Sequence, residues 1–293
     1  MSAAGTLADT LRLVKFSHSI FALPFALQSA WLAAGGVPEL RVLALVVLCS
    51  VAARTAAMGF NRLVDRHVDA RNPRTAGREL PAGKLSPSAV AALVTASSAT
   101  FVVGAFALNP LCGWLSLPVL ALLFGYSFAK RVTWLAHAIL GLCLGLAPLG
   151  AWLAVRGTLA GDLAPPLLLA AAVLAWVAGF DLIYACQDAA FDRREGLQSI
   201  PARFGVARAL VVSRALHAAT VALLVAFGAR VGLAWPFWLA VALAAALLAW
   251  EHGLVRADDL SRVDVAFFTL NGWVGIGLFV GLACDLALHG GPA

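Results

Sequence analysis

Long apolar runs dominate the chain, each about 20 residues in length and separated by clusters of Gly, Pro and charge. At 1.5 Å per residue such a run matches the hydrocarbon core of a bilayer, about 30 Å thick. Reading the runs against their punctuation predicts helices over 17–35, 40–62, 88–108, 111–129, 134–155, 164–187, 208–229, 234–254 and 264–286. The predicted architecture is an all-α membrane protein, with nine transmembrane helices in a single polytopic domain over residues 1–293. The opening MSAAGTLADTLRLVKFSHSIFALPFAL places basic residues ahead of an apolar run without a small-residue cleavage signature, which predicts a retained first helix.

Composition sharpens this picture. The chain of 293 residues is 62% hydrophobic and 12% charged, with a mean hydropathy of +0.90, whereas a soluble domain is about half apolar and about a quarter charged. A water-soluble globular domain is excluded. The formal charge of +6 is scattered over the connections, so no basic domain is available to bind nucleic acid. Cys49, Cys112, Cys143, Cys186 and Cys284 stand singly in apolar runs, which predicts small packing side chains rather than disulfides or zinc ligands.

Charge also predicts topology. Sixteen Lys and Arg fall at the N-terminus or in the connections after the second, fourth, sixth and eighth helices, whereas Arg41, Arg156 and Arg230 mark the other side. By the positive-inside rule the N-terminus and these connections are cytoplasmic and the C-terminus lies opposite, while the Arg-over-Lys and Ala/Leu bias suggests a bacterial chain of the inner (cell) membrane. Trp31, Trp134, Trp152, Trp235 and Trp250 fall near predicted span ends, as interfacial anchors would.

Two cytoplasmic connections, about 63–87 and 187–207, are longer and more polar than the rest, and long polar loops are where function concentrates. Each adjoins regularly spaced acids. FNRLVDRHVD places Asn61, Asp65 and Asp69 at steps of four, a drift of about 40° per step that keeps them on one helical stripe. FDLIYACQDAAFD places Asp181, Tyr184, Asp188 and Asp192 within an arc of about 80° on a continuous helix. Stacked carboxylates repel one another, and near lipid each is expensive. Oxygen ligands without Cys or His suit Mg²⁺, which takes one or two carboxylates per ion and completes its shell with water and phosphate. Two facing ladders suit two such ions around a diphosphate, with Arg62, Arg66, Arg74, Arg78, Arg193 and Arg194 supplying charge for the rest of the anion.

These residues resemble the UbiA-type intramembrane aromatic prenyltransferases. The resemblance is carried by N-x-x-x-D-x-x-x-D at Asn61, Asp65 and Asp69, and by D-x-x-Y-x-x-x-D-x-x-x-D at Asp181, Tyr184, Asp188 and Asp192. RTAGRELPAGKLS, REGLQSIPARFG, GYSFAKR and KFSHSIFALPFAL extend it over essentially the whole chain. One departure is Arg62, where many members carry Asp; on a helix that position points about 100° from the Asn61 stripe.

The resemblance implies a nine-helix bundle around a central cavity, capped on the cytoplasmic side by the two motif segments and open laterally to a long isoprenoid. It implies Mg²⁺-dependent transfer of an all-trans polyprenyl group from polyprenyl diphosphate to an aromatic acid in respiratory quinone (ubiquinone) synthesis. Asp65, Asp69, Asp188 and Asp192 are then the metal-binding catalytic residues, with Asn61 and Asp181 as supporting ligands or groups that orient them. Arg78, Lys130 and Arg131 are candidates for the diphosphate, and Tyr126 and Tyr184 for hydrogen bonding or for shielding an allylic cation. Arg54 lies seven residues before Asn61, about 20° from the same stripe. An intramembrane Arg needs a partner or a wet cavity, and the resemblance assigns it to the acceptor's carboxylate.

His18 and Asn271 are expected to make helix–helix hydrogen bonds, Glu251 and His252 to meet solvent at the end of the eighth helix, and Pro24 and Pro148 to bend helices. HSIFALPFAL and EHGLVRADDLSRVDVAFFTLNG resemble the branch of the family that acts on 4-hydroxybenzoate. Similar chains use 1,4-dihydroxy-6-naphthoate in menaquinone synthesis by the futalosine route, and both acceptors are phenolic acids. The rival from another class is an ion-coupled secondary transporter, whose acids would lie near the bilayer midplane rather than at one face. No obligate protein partner is implied.

Overall fold

The computed structural model describes residues 9, 10, 12, 13 and 21–290. Its long helices are α1 (Leu23–Ala34), α2 (Leu40–Arg71), α3 (Pro87–Leu108), α4 (Pro110–Gly125), α5 (Ala136–Arg156), α6 (Ala164–Ala185), α7 (Val206–Val231), α8 (Trp235–Leu254) and α9 (Asn271–His289). Among the described residues eight helical stretches are long and apolar enough to cross a membrane, α4, α6 and α9 counting with the short turns that adjoin them. α1 is the shorter apolar helix before them, and His18 lies outside the described residues. The chain is a multi-pass, all-α membrane protein.

Helix boundaries follow local chemistry. Ser86 caps α3 by accepting from the Ala89 amide, with Pro87 at the first helical position. Asn109 is extended, closes α3 and accepts from the Cys112 amide to start α4. Asp285 of α9 reaches across to accept from the Ala234 and Phe237 amides at the N-terminus of α8. α2 runs nine residues past its predicted end at residue 62, to Arg71. Nothing in NRLVDRHVDAR breaks a helix until Asn72, which precedes Pro73 and takes an extended conformation. At 32 residues, α2 is about 48 Å long and outreaches the hydrocarbon core. The first acidic cluster therefore rides on a projecting helix, as its step of four implied, although the predicted span stopped at residue 62.

α6 is the central post: 61% of its most apolar stretch is buried, against 22% for α3. Its side chains Trp176, Phe180, Leu182 and Ile183 are almost wholly enclosed. α5 packs closely on it through Gly145, where a Cβ would stand 2.7 Å from the Ala170 carbonyl; small residues let membrane helices approach in this way. Trp235 and Trp250 are exposed, whereas Trp152 is 7% exposed in the core and no interfacial anchor. Four cysteines are buried and Cys284 is exposed.

Two further corrections concern polar groups. Glu251 is fully buried rather than solvated: its Oε1 accepts from Asn271 Nδ2 at 2.9 Å. His252 Nε2 stands 3.0 Å from His217 Nδ1. Asn271 makes the expected interhelical bonds, accepting from Trp176 Nε1 at 2.6 Å. It also donates to the Ala266 carbonyl, five residues back, within the π-helical turn Val265–Leu270 that leads into α9.

Candidate active site

A cavity of about 350 Å³ lies among α2, α3, α4, α5 and α6. Most of its wall is apolar, with Phe101, Leu108, Val119, Leu144 and Phe180 among the lining residues. Among the described residues its charged lining consists of Arg54, Arg62 and Arg78 against a single carboxylate, Asp181, with Asn61, Tyr126 and Tyr184 close by. A low-dielectric chamber with three guanidinium groups and one carboxylate favours anionic ligands carrying apolar bodies.

α2 presents Arg54, Ala57, Met58, Asn61 and Arg62 to the cavity. These are steps of three and four, the period of one broad helical face. Arg62 belongs to that face despite its offset from the Asn61 stripe, because the cavity wraps a wide arc of the helix. Arg54 lies about 10 Å deeper along the axis than Asn61. Its Nε is buried without a hydrogen bond, and it makes no ion pair among the described residues.

The predicted acids gather at the polar mouth, each already matched with a basic group. Asp65 accepts from Asn61 Nδ2 and from Arg131 Nη2, both at 2.9 Å. Asp69 Oδ1 accepts from Arg78 Nη1 at 2.6 Å, while its Oδ2 lies 3.9 Å from Arg62 Nη1. Asp188 is clasped by Arg74 through Nε, at 2.8 Å to Oδ1, and through Nη2 to Oδ2, with Asn72 Nδ2 donating to Oδ1 at 3.0 Å. Arg74 Nη1 also donates to the Tyr184 hydroxyl at 2.8 Å. Asp192 Oδ2 accepts from Lys130 Nζ at 3.2 Å and from Ser199 Oγ at 2.9 Å. Burial alone would lower the Arg74 guanidinium, but the Asp188 carboxylate outweighs it and holds the group above its ordinary value.

The second cluster differs from its predicted geometry. α6 ends at Ala185, and a 3₁₀ turn, Cys186–Asp188, intervenes before the short helix Ala189–Arg194. A 3₁₀ turn advances faster per residue than an α-helix. Asp181, Asp188 and Asp192 therefore do not share one continuous face. Asp181 lines the cavity, Asp188 meets the segment after α2, and Asp192 meets Lys130.

Among the described residues no three His, Cys, Asp or Glu side chains converge as a ready metal cage. The donor set still fits a hard cation. It is built of carboxylate oxygens, and Asp69 Oδ2 is buried without a hydrogen bond. The partners Arg74, Arg78 and Lys130 keep 29%, 21% and 33% of their side chains exposed, which leaves them room to change partners.

Local patterning left three contacts unread. His137, 1% exposed, stands with Nδ1 2.7 Å from Asp181 Oδ2. Asn72 and Ser199 hold Asp188 and Asp192. The one available signal for His137 was a lone imidazole at the start of an apolar run.

The profile of the UbiA prenyltransferase family matches residues 22–273. The chain belongs to the UbiA prenyltransferase family. The 4-hydroxybenzoate octaprenyltransferase of Pseudomonas aeruginosa PAO1 is 35% identical over 267 residues, spanning 90% of this chain and 87% of that protein. Its counterpart in Yersinia pseudotuberculosis serotype IB is 33% identical over 275 residues, 93% of each chain. The apo structure of a UbiA homolog from Aeropyrum pernix K1 superposes with a TM-score of 0.83 at 39% identity, covering 92% of this chain and 98% of that one. A UbiA homolog from Archaeoglobus fulgidus bound to DMAPP and Mg²⁺ shares the fold, with a TM-score of 0.67 at 21% identity over 92% and 99% of the two chains. Membership of the UbiA family replaces the transporter reading with that of a prenyltransferase.

Proposed function

We propose that this UbiA-family enzyme transfers an all-trans polyprenyl group from its diphosphate to a ring carbon of 4-hydroxybenzoate, in ubiquinone synthesis at the inner membrane. The observation that carries the reading is the apolar cavity with Arg54 at depth and Arg62 and Arg78 among its charged lining. Such a chamber suits two anions, an acceptor carboxylate and a diphosphate, around an apolar reaction zone. The curated relatives act, by their names, on 4-hydroxybenzoate, and the Archaeoglobus homolog was solved with a prenyl diphosphate and Mg²⁺.

Arg54 binds the acceptor carboxylate. Arg78, Lys130 and Arg131 turn from their carboxylates to the diphosphate oxygens as the substrate enters. Asp65, Asp69, Asp188 and Asp192, with Asn61 beside them, would hold two Mg²⁺ ions, which when bound supply Lewis-acid stabilisation of the leaving diphosphate. The allylic C–O bond breaks with its electron pair going to diphosphate, and the carbon is captured by the ring carbon beside the acceptor's hydroxyl. Tyr126 and Tyr184 line the cavity, where their aromatic rings would shield the allylic cation. Nine spans, counting the first helix, a cytoplasmic N-terminus and motif segments, and an opposite C-terminus complete the reading.

The alternative acceptor is 1,4-dihydroxy-6-naphthoate, favoured by the same Arg54, which suits any phenolic acid of this shape. The test incubates membranes carrying the protein with a short allylic diphosphate and either acid, with Mg²⁺ or with EDTA, and detects product by mass spectrometry. A Mg²⁺-dependent product that disappears in Asp65→Ala and Asp188→Ala is expected, and the acid consumed names the pathway. Inserted protein that prenylates neither acid overturns the reading.

A further inference from the structure

Ring alkylation leaves one proton too many on the attacked carbon, and the cavity offers few places for it. Among the described residues Asp181 is the only carboxylate lining the cavity, and no described His, Glu or Lys lines its wall. The other ionisable lining groups are guanidiniums, thiols and phenols, which keep their protons near neutral pH. A carboxylate exposed to the reaction zone is the natural proton acceptor.

Asp181 is also held in a specific way. Its side chain is 16% exposed and its Oδ2 lies 2.7 Å from Nδ1 of His137, near the start of α5. The imidazole is 1% exposed, and its Nε2 is buried without a hydrogen bond. Asp181 is therefore the sole polar partner of His137 among the described residues. Because an ionised carboxylate can only accept, His137 Nδ1–H is the donor to Asp181 Oδ2. That bond occupies Oδ2, while Oδ1 makes no hydrogen bond among the described residues. One oxygen anchors the group and the other remains free to accept.

We propose that Asp181 accepts the ring proton and that His137 is its positioning residue, an inference that rests on the aromatic prenyl transfer proposed above. In this step the C–H bond of the alkylated carbon breaks, its electron pair restores the aromatic ring, and the proton passes to Asp181 Oδ1. Diphosphate has already left with the electron pair of the allylic C–O bond. The neutral acid then returns its proton to water at the polar mouth. His137 does not exchange protons with the ring; it keeps Oδ2 engaged so that Oδ1 meets the substrate in one orientation.

The experiment compares wild type, His137→Leu, His137→Asn and Asp181→Asn with an acceptor carrying hydrogen or deuterium at the ring position beside its hydroxyl. Wild type is expected to show no ring-deuterium effect. In H137L, kcat should fall about 100-fold with KM for the prenyl diphosphate unchanged, and deuterium should slow the reaction further. H137N, which retains an N–H donor at the same distance along the side chain, should recover most of the rate. D181N should lose at least as much as H137L and show the isotope effect on any residual turnover. Active H137L with wild-type kcat overturns the proposal, as does a loss without an isotope effect that H137N fails to restore. Should H137L fail to fold, seen as a lost melting transition, H137N and D181N decide by the same isotope criterion. Wild type that yields no prenylated product overturns the reaction itself, an outcome distinct from active wild type beside an indifferent H137L.

Discussion

Replacing Arg54 by Met separates a binding role from a structural one. Arg54 faces the cavity from α2, its Nε is buried without a hydrogen bond, and it has no carboxylate partner among the described residues. The substrate-free protein therefore bears an uncompensated charge within the membrane, which an apolar side chain of similar length relieves. Arg54→Met should melt at the same temperature as wild type or higher. Binding of the acceptor should suffer in the opposite direction. Losing one partner of a desolvated, hydrogen-bonded charge pair costs about 2–4 kcal/mol, or about 30- to 900-fold in acceptor affinity. The assay titrates 4-hydroxybenzoate at saturating allylic diphosphate, and a melting curve in detergent accompanies it. The expected signature is a large rise in acceptor KM, little change in diphosphate KM, and no loss of stability. A lowered melting temperature with unchanged acceptor KM would refute the reasoning, for Arg54 would then be holding the bundle together.

At the mouth, Arg74→Ala leaves the mostly buried Asp188 without its clasp; stability should fall by about 1–3 kcal/mol after allowance for the partial exposure of Arg74. Because the Arg74 guanidinium is held above its ordinary value, the pair is complete below the unfolded arginine value and is lost only as pH rises through the folded one. On the arginine side, the wild-type advantage in melting temperature over Arg74→Ala should thus stay level from about pH 7 to about pH 10. Deeper in the bundle, Glu251→Ala should cost about 1–3 kcal/mol by stranding the Asn271 amide, whereas Glu251→Gln keeps an acceptor there and should melt close to wild type. Removing Mg²⁺ with EDTA should abolish turnover while leaving the melting temperature nearly unchanged, since the acids are paired with basic groups in its absence.

What could be read from the sequence was whatever depends on neighbours along the chain. The apolar runs located helices such as α3 and α8 to within about two residues, and the step of four brought Asn61 and Asp65 into hydrogen bonding. The polar stretch after residue 62 misled because charge suggested a loop, whereas helix persists until Asn72 and Pro73 end it. The acid spacing after Asp181 misled because it presumed an unbroken α-helix through Cys186. Contacts between distant segments left no local trace. His137 and Asp181 are 44 residues apart, and Glu251 and Asn271 are 20 apart. Glu251 lay near a helix end, where solvent was the natural expectation, and packing against His217 of α7 and Asn271 of α9 encloses it.

The pairing of Asp65, Asp69, Asp188 and Asp192 each with a basic side chain makes the mouth electrically closed. A stray divalent ion entering alone would turn out the guanidiniums and leave them without partners. A lone phosphate compound would draw the guanidiniums away and strand the acids. A cation and a polyphosphate arriving together would satisfy both released sets, so the charge pattern favours the two in company over either one singly.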